Sequence, residues 1–289
     1  MSIVIASFGF GLVTAAVLAL ASVGFTLQFA VTNVLNLAYG GVMVVAAYTA
    51  YALNHAGVSV WVAAPAGIAA GAVMSWFLNS VIYTPFQRRG TSPIAIVIVS
   101  LGMTLILVFG TQAVAGPTNV SYTMSQGATL KLGSLELTVL QVGIIALSVA
   151  VMALVHVLIR YTRLGKAMRA TAANRNLARN CGVRTDRVVT LTWLITGALC
   201  GLAGVVFAMN SGTFGATSTD IFLVLILAAV FLGGPGEPYG AMLGALVIGL
   251  ATEVSASVIV SSYKDVVAFV ILLAMLAVKP SGLLGARTT

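Results

Sequence analysis

The strongest constraint on this fold is a run of 51 residues, positions 3–53, that contains no charged side chain. As a single α-helix the run would be about 76 Å long, whereas the hydrocarbon core of a bilayer is about 30 Å thick. One crossing cannot hold it. The polar segment 28–36 divides the run, and we predict membrane spans at 4–27 and 37–53.

The composition of the whole chain agrees with a membrane protein. Sixty per cent of its residues are apolar and 7% are charged, too few to give a water-soluble globule its charged surface. At about 20 residues per crossing, a chain of 289 residues allows about eight to ten spans. We therefore predict an all-α, polytopic transmembrane helical bundle that forms a single domain over residues 1–289, with at least one partial or broken helix.

Further apolar runs predict the remaining spans. They are 60–83, 94–115, 139–159, 188–209, 240–260 and 266–278. The run 221–232 has only 12 residues, about 18 Å of helix, and predicts a partial span. It leads into the segment GGPGEPYG at 233–240, whose irregular backbone is tolerated at membrane depth only if it is buried in protein or faces water.

The basic residues predict the orientation. Twelve of the fourteen Lys and Arg residues lie in 85–93, 160–187 and the C-terminal residues, and such an excess is typical of cytoplasmic segments. The net charge of +8 therefore indicates topology and not nucleic-acid binding. We expect the N-terminus outside, the C-terminus in the cytoplasm and the turn-rich segment 116–138 outside. The prolines of PFQRRGTSP, 85–93, also predict a helix stop.

Pairs of glycines four residues apart predict close helix packing. Gly67 with Gly71 and Gly197 with Gly201 have the small-xxx-small spacing that lets helix backbones approach each other in a membrane. Because this spacing is common in membrane helices, it indicates packing and identifies no substrate.

The basic segment 160–187 carries eight basic side chains against one acid, Asp186. Within it, 166–180 predicts one helix that begins after Gly165 and ends at Cys181. A narrow seam of small and apolar residues follows the spacing i, i+3, i+7 and consists of Ala170, Ala173 and Leu177.

Three interpretations of this helix remain open. It is a solvated loop that follows the positive-inside rule, or a docking helix that presents its seam and an arginine rim to a cytoplasmic subunit. The third is an interfacial helix on anionic lipid, for which its apolar face is weak.

Motifs for catalysis are missing from the sequence. There is no HExxH, GxSxG or paired-aspartate pattern, and no Cys/His cluster of metal-ligand spacing, so we expect neither catalytic residues nor a bound metal. The nucleotide-binding pattern GxxxxGK[ST] is also absent, so any ATP and Mg²⁺ would be bound by another polypeptide.

Polar residues at membrane depth are the candidates for a transport pathway. They are Asn33, Asn36, Tyr39 and Glu253. Glu253 is the acid that lies well within a predicted span, and the alternative is that it is a protonated or hydrogen-bonded packing residue. Glu237, in the Gly/Pro segment, has the same two interpretations.

Four blocks of sequence carry a resemblance to a known family. They are NVLNLAYGGVMVVAAYTAY (33–51), RLGKAMRATAANRNLARNCGVRTDRVVTLTWLITGALCGLAGVV (163–206), LAAVFLGGPGEPYGAMLGALVIGL (227–250) and SSYKDVVAFVILLAMLAVKPSGLLG (261–285). In order and spacing they resemble the permease subunits of branched-chain amino acid ABC importers of the LivH type. The resemblance covers almost the whole chain.

The resemblance implies a multi-pass permease in the bacterial inner membrane. In that family two permease chains, identical or paralogous, form the pathway. Two cytoplasmic ATPases that hold ATP and Mg²⁺ drive it, and an extracytoplasmic binding protein delivers the solute. Segment 163–182 would be the element that couples to an ATPase. Its candidate residues are Arg163, Gly165, Lys166, Arg169, Ala170, Ala173, Arg175, Leu177 and Gly182.

The sequence departs from the family pattern in two places. After Asn36 the family commonly has an Ala-His-Gly-Glu stretch, where this chain has Ala38-Tyr39-Gly40-Gly41. The late block often reads GGxGSxxGA, and here it reads GGPGEPYGA. Urea and short amides, carried by relatives, therefore stay open as alternatives to branched-chain amino acids. Outside the family, a self-sufficient channel or facilitator, a membrane enzyme and a non-transporting scaffold are the other hypotheses.

Overall fold

A computed structural model of the protein describes residues 2–124, 127–132, 135–257, 263–279 and 282–285. Its helices are α1 (Ser2–Thr32), α2 (Tyr39–His55), α3 (Val60–Phe77), α4 (Thr84–Arg88), α5 (Pro93–Ala115), α6 (Val139–Tyr161), α7 (Arg163–Ala173), α8 (Arg175–Asn180), α9 (Thr185–Ser211), α10 (Ser218–Gly233), α11 (Pro238–Ala256) and α12 (Lys264–Val278). A π-helical turn, Leu78–Tyr83, joins α3 to α4.

Six helical stretches of the described residues are long and apolar enough to cross a membrane. They are α1, the rod from α3 to α4, α5, α6, α9 and α11, while α10 and α12 are shorter apolar helices. The predicted all-α polytopic bundle with a partial helix is confirmed. The partial helix α10 has 16 residues, more than the 12 expected, because it begins at Ser218. Helix α11 ends at Ala256, and the end predicted at position 260 lies outside the described residues.

We call the end of the bundle that carries the basic segment the basic end, and the opposite end the far end. Helix α9 begins beside the basic segment, at the basic end, and runs to Ser211 at the far end. A cavity at the basic end brings together Phe29–Asn33, Thr171–Arg175 and Gly285, so α1 ends there and Gly285 lies beside it. At the far end, Thr14 of α1 contacts Glu253 of α11.

Helix α1 is longer than the sequence indicated. It continues to Thr32, beyond the end predicted at residue 27, and includes Gln28, whose side chain is buried. The Thr32 hydroxyl donates to the carbonyl oxygen of Gln28 at 2.7 Å. Polar side chains do not end a helix that neighbouring helices surround, since the backbone still needs its internal hydrogen bonds.

The helix stop predicted within 85–93 is confirmed, although the rod runs past the span end predicted at residue 83. The π-helical turn precedes α4, and Pro85 lies in the first turn of α4, a position that tolerates proline. The rod therefore continues to Arg88 before the chain turns at Gly90, which has φ +68°.

The outside loop predicted at 116–138 contains a short antiparallel hairpin of β1 (Thr129–Leu132) and β2 (Leu135–Thr138). Its first part is anchored to α2, because the Tyr122 hydroxyl donates to the carbonyl oxygen of Ala47 at 2.9 Å. The Thr123 amide donates to Asn54 Oδ1 at 2.7 Å. These bonds fix the loop over the far end.

The predicted glycine pairs pack α3 directly against α9. A Cβ atom added to Gly71 would stand 2.7 Å from both the Gly197 carbonyl oxygen and the Gly201 Cα. Gly67 is equally close to the Ala46 carbonyl oxygen of α2. The packing role predicted for these pairs is confirmed, and it places α9 in the centre of the bundle.

We expect Gly71→Ala to lower the thermal stability of the protein. The added methyl group would meet backbone atoms of α9, and such overpacking costs about 1–3 kcal/mol. Fluorescence-detected size-exclusion chromatography after heating measures the midpoint. The matched control is Gly102→Ala in α5, where a Cβ meets nothing within 4 Å. Equal midpoints for the two variants would contradict the packing role.

Candidate functional site

The basic segment forms a compact helical unit at the basic end. Helix α6 stops at Tyr161 and α7 starts at Arg163, so the single extended residue Thr162 separates the two helices. Its hydroxyl donates to the Leu158 carbonyl at 2.6 Å and accepts from the Gly165 amide at 3.0 Å. Thr162 thus links the end of one helix to the start of the next.

Gly165 makes this tight junction possible. It lies in the first turn of α7, where an added Cβ would collide with the carbonyl oxygens of Leu158 and Ile159. The predicted helix start after Gly165 is therefore wrong: the glycine belongs to the helix and allows it to approach the end of α6.

Arg169 strengthens the same junction. Its guanidinium Nη1 donates to the carbonyl oxygen of Ile159 at 2.9 Å, one of the carbonyls that the end of α6 leaves without a helical partner. Met168 and Thr171 point inward and are buried. The opposite face of α7, with Lys166, Ala170 and Ala173, is exposed.

The helix predicted over 166–180 is interrupted at Asn174. This residue is extended, with φ −159° and ψ 105°, and its side chain caps α8 by accepting from the Leu177 amide at 2.9 Å. Asparagine favours such caps over helix interiors because its side chain competes for backbone donors. The break divides the predicted seam: Ala170 and Ala173 belong to α7, whereas Leu177, which is 61% exposed, belongs to α8.

Asp186 ties this unit to the central helix. It lies in the first turn of α9 and accepts from Arg175 of α8 at 3.0 Å and from Arg179 at 3.1 Å. Exposed ion pairs contribute little stability, but two pairs on one carboxylate fix the orientation of α8 relative to α9.

Most of the coupling residues predicted from the sequence are exposed in the structure. Gly165 is buried, so it positions α7 and contacts no outside molecule. The other eight are exposed: Arg163, Lys166, Arg169, Ala170, Ala173, Arg175, Leu177 and Gly182. We call these eight the coupling surface.

Open space lies between α7 and the Gly/Pro segment, and three residues of the coupling surface, Arg169, Ala173 and Arg175, line it. One cavity of about 430 Å³ is lined by Ala30, Met168 and residues 236–239. A second of about 720 Å³ lies between Asn33, the end of α7 and residues 235–237. The Gly/Pro segment therefore faces α7 across cavities, as expected for irregular backbone at membrane depth.

The candidate pathway residue Asn36 lies in a break between α1 and α2. Its side chain is buried and Oδ1 accepts from the Tyr83 hydroxyl at 2.7 Å. Tyr83 comes from the π-helical turn and stacks on Trp193 of α9, with ring centroids 5.1 Å apart. The break between α1 and α2 and the π-helical turn therefore meet beside α9, the central helix.

Ser100 of α5 satisfies the backbone of the same break. Its hydroxyl accepts from the Leu37 amide at 3.3 Å and lies 3.4 Å from the Leu35 carbonyl oxygen. A break inside a membrane needs such partners because lipid offers none. Helix α2 consequently begins inside the bundle, as discontinuous helices of transporters do.

The four pathway candidates are not brought together. Tyr39 is fully buried, edge-on to Phe25 with ring centroids 5.5 Å apart, and contacts Gly24. Asn33, with φ +53°, is exposed at the basic end. Glu253 lies at the far end, where it pairs with Lys264 at 3.2 Å.

Sequence reasoning missed four residues that complete these sites. They are Tyr83, Ser100, Trp193 and Lys264. No spacing links them to their partners, since the Tyr83–Asn36 and Ser100–Leu35 contacts span 47 and 65 positions of the chain. The one signal in the sequence that could have indicated these four residues is that they carry polar groups within or beside apolar runs.

A comparison with models of protein families identifies the family of this chain. The family model for the permease component of branched-chain amino acid transport systems matches residues 7–276. The chain belongs to this family. The family consists of transport permeases and not of enzymes, and the six apolar stretches make this permease a multi-pass membrane protein.

Curated relatives match the permease over nearly its whole length. The high-affinity branched-chain amino acid transport system permease protein LivH of Escherichia coli (strain K12) is 29% identical over 281 residues, covering 92% of this chain and 91% of that protein. The corresponding protein BraD of Pseudomonas aeruginosa is 27% identical over 290 residues, covering 95% and 94%.

A solved structure supports the fold of the permease. PsaBC from Streptococcus pneumoniae in complex with Fab matches with a TM-score of 0.52 at 14% identity, covering 94% of this chain and 91% of that chain. At this identity the likeness concerns the fold alone.

We expect Tyr83→Phe to destabilise the permease. The change removes the hydroxyl that donates to Asn36, and an unpaired buried amide oxygen costs about 1–3 kcal/mol. The thermal midpoint of the purified protein measures the loss. The control Tyr161→Phe removes a hydroxyl from an exposed ring and should leave the midpoint unchanged. An unchanged midpoint in Tyr83→Phe would contradict the anchoring role of this bond.

Proposed function

We propose that the chain is the membrane permease subunit of a binding-protein-dependent ABC importer and forms the pathway for a small polar solute, with branched-chain amino acids as the solute. It works with two cytoplasmic ATPases that bind ATP and Mg²⁺, a second permease subunit and an extracytoplasmic binding protein. Family membership and the full-length match to LivH and BraD support this role.

The observation that carries the proposal is the coupling surface. It combines a basic rim with the exposed residues of the predicted seam, Ala170, Ala173 and Leu177. Small side chains let another protein approach the helix backbone closely, and the arginines supply a polar rim. A solvated loop would not need to be bonded to α6 on one side and to α9 on the other. The segment also exposes few apolar side chains, which argues against insertion into lipid.

The attachments of this unit give it a way to transmit motion. Thr162, Gly165 and Arg169 join α7 to α6, while Asp186 joins α8 to α9. The cavities between α7 and the Gly/Pro segment leave room for α7 to shift toward residues 235–237. Closure of the ATPases on ATP would therefore move α6 and α9 together, and α9 is the helix that packs against the break at Asn36.

The orientation follows from the distribution of charge. The basic end would face the cytoplasm of the bacterial inner membrane, with the C-terminus on that side and the N-terminus outside. Lys264 lies at the opposite end, with Glu253.

We expect Ala170→Trp to abolish ATP-dependent uptake and to release the ATPases. The indole would stand on the seam and block close approach of a partner, while the fold is unaffected because Ala170 is exposed. The variant and the wild type are tagged and solubilised mildly from the native host, and co-purifying proteins are quantified by mass spectrometry. The matched control is Ala56→Trp, an exposed alanine just beyond α2 at the far end.

The outcomes separate the proposal from its rival. Two ATPases and a second permease that co-purify with the wild type and with Ala56→Trp, but not with Ala170→Trp, would support the importer. A chain that purifies alone and conducts in ATPase-free liposomes is a facilitator, and the proposal fails. Arg169→Glu is a less specific test, since it also removes the bond to Ile159.

A further inference from the structure

A cavity of about 480 Å³ lies at the far end of the bundle, remote from the coupling surface. Five helices surround it: α1, α9, α10, α11 and α12. Its size is within the range of pockets that hold small molecules, about 300–1,000 Å³. Its wall has a charged side and an apolar side, and the family comparison assigns no role to it.

The charged side consists of an ion pair. Lys264 Nζ lies 3.2 Å from Glu253 Oε1, and the Thr14 hydroxyl donates to the same oxygen at 3.2 Å. In the described part of the chain the other ion pairs involve Asp186 at the basic end. Charges inside a membrane bundle are costly to retain and are functional suspects for that reason.

This pair is open to the cavity. The side chains of Glu253 and Lys264 are 20% and 40% exposed. Both ions therefore keep unused hydrogen-bonding capacity: a carboxylate accepts several bonds and an ammonium donates three. A ligand can bind to each ion without separating the pair.

A zwitterionic α-amino acid matches this arrangement. Its amino nitrogen and carboxyl carbon are about 2.5 Å apart, from bond lengths of about 1.46 and 1.52 Å and an angle of about 111°. In the protein pair, the ammonium nitrogen lies 3.2 Å from one carboxylate oxygen. With its ammonium on Glu253 and its carboxylate on Lys264, the ligand would complete a square of four alternating charges.

The other side of the cavity fits the side chain of the same ligand. The apolar side is formed by Val17, Leu225 and the packed rings of Phe207 and Phe222, whose centroids are 4.7 Å apart. It would receive an aliphatic side chain.

We propose that this cavity is a binding site for a zwitterionic amino acid with an apolar side chain, held between Glu253 and Lys264. The proposal rests on the importer function in naming an amino acid as the solute. The site would receive the solute after its release from the binding protein, before it reaches the interior of the bundle.

The test measures binding of three ligands that share one side chain. They are L-leucine, 3-methylbutylamine, which lacks the carboxylate, and 4-methylpentanoate, which lacks the ammonium. The permease is purified with its co-purifying subunits in nanodiscs and without binding protein, and saturation-transfer NMR gives the affinities. We expect leucine to bind at least ten-fold more tightly than either analogue, because only leucine engages both ions.

Variants assign each ion of the ligand to its partner. Glu253→Gln should weaken leucine binding about ten-fold and leave 4-methylpentanoate unaffected. Lys264→Gln should weaken leucine similarly and leave 3-methylbutylamine unaffected. The control is Asp220→Asn, an exposed acid in the first turn of α10 that does not line the cavity. It should bind leucine as the wild type does.

Three results would overturn the site. They are no leucine binding by the wild type, equal affinity for the three ligands, and variants that weaken every ligand alike, which would make the pair a structural tie between α11 and α12. None of these results affects the importer function, which is judged by co-purification of the ATPases. If the wild type neither bound leucine nor co-purified with the ATPases, each result would refute its own proposal.

Discussion

Direct contact between helix backbones is the interaction on which this bundle depends. In a bilayer, apolar side chains gain little by leaving lipid for protein, so helices associate through close packing and hydrogen bonds. Gly71 meets Gly197 and Gly201 with no room for a methyl group, and Gly249 meets Ala15 in the same way. These contacts place α9 and α1 at the centre, and the more exposed helices α3, α5 and α6 pack around them.

The irregular backbone of the permease is confined to places where protein supplies its hydrogen bonds. Ser100 serves the break between α1 and α2, and the amides of Leu283 and Leu284 donate to the last carbonyls of α10 at 2.8 and 3.0 Å. Since lipid could satisfy neither site, both breaks are stable only where protein surrounds them. The second break borders the cavities beside α7, which connects it to the coupling surface.

The two ends of the molecule differ in their charge. At the basic end, cationic side chains lie on an exposed helical unit whose attachments lead to α6 and α9. At the far end, one anion and one cation face a cavity with an aromatic floor. The proposed partner surface has cationic side chains only, whereas the proposed amino-acid site offers one ion of each sign, as the two charges of a zwitterion require.

The sequence alone determined the solvent, the helical class, the predicted orientation and the segment proposed to couple to an ATPase, because long apolar runs and clustered basic residues act locally. It also indicated the glycine contacts, whose spacing lies within one helix. It misjudged the end of α1 and the unity of the helix at Asn174, because burial and capping decided them. Only the tertiary structure brought Asn36 to Tyr83 and separated Asn33 from Glu253, since residues far apart in the chain become neighbours only when the helices pack.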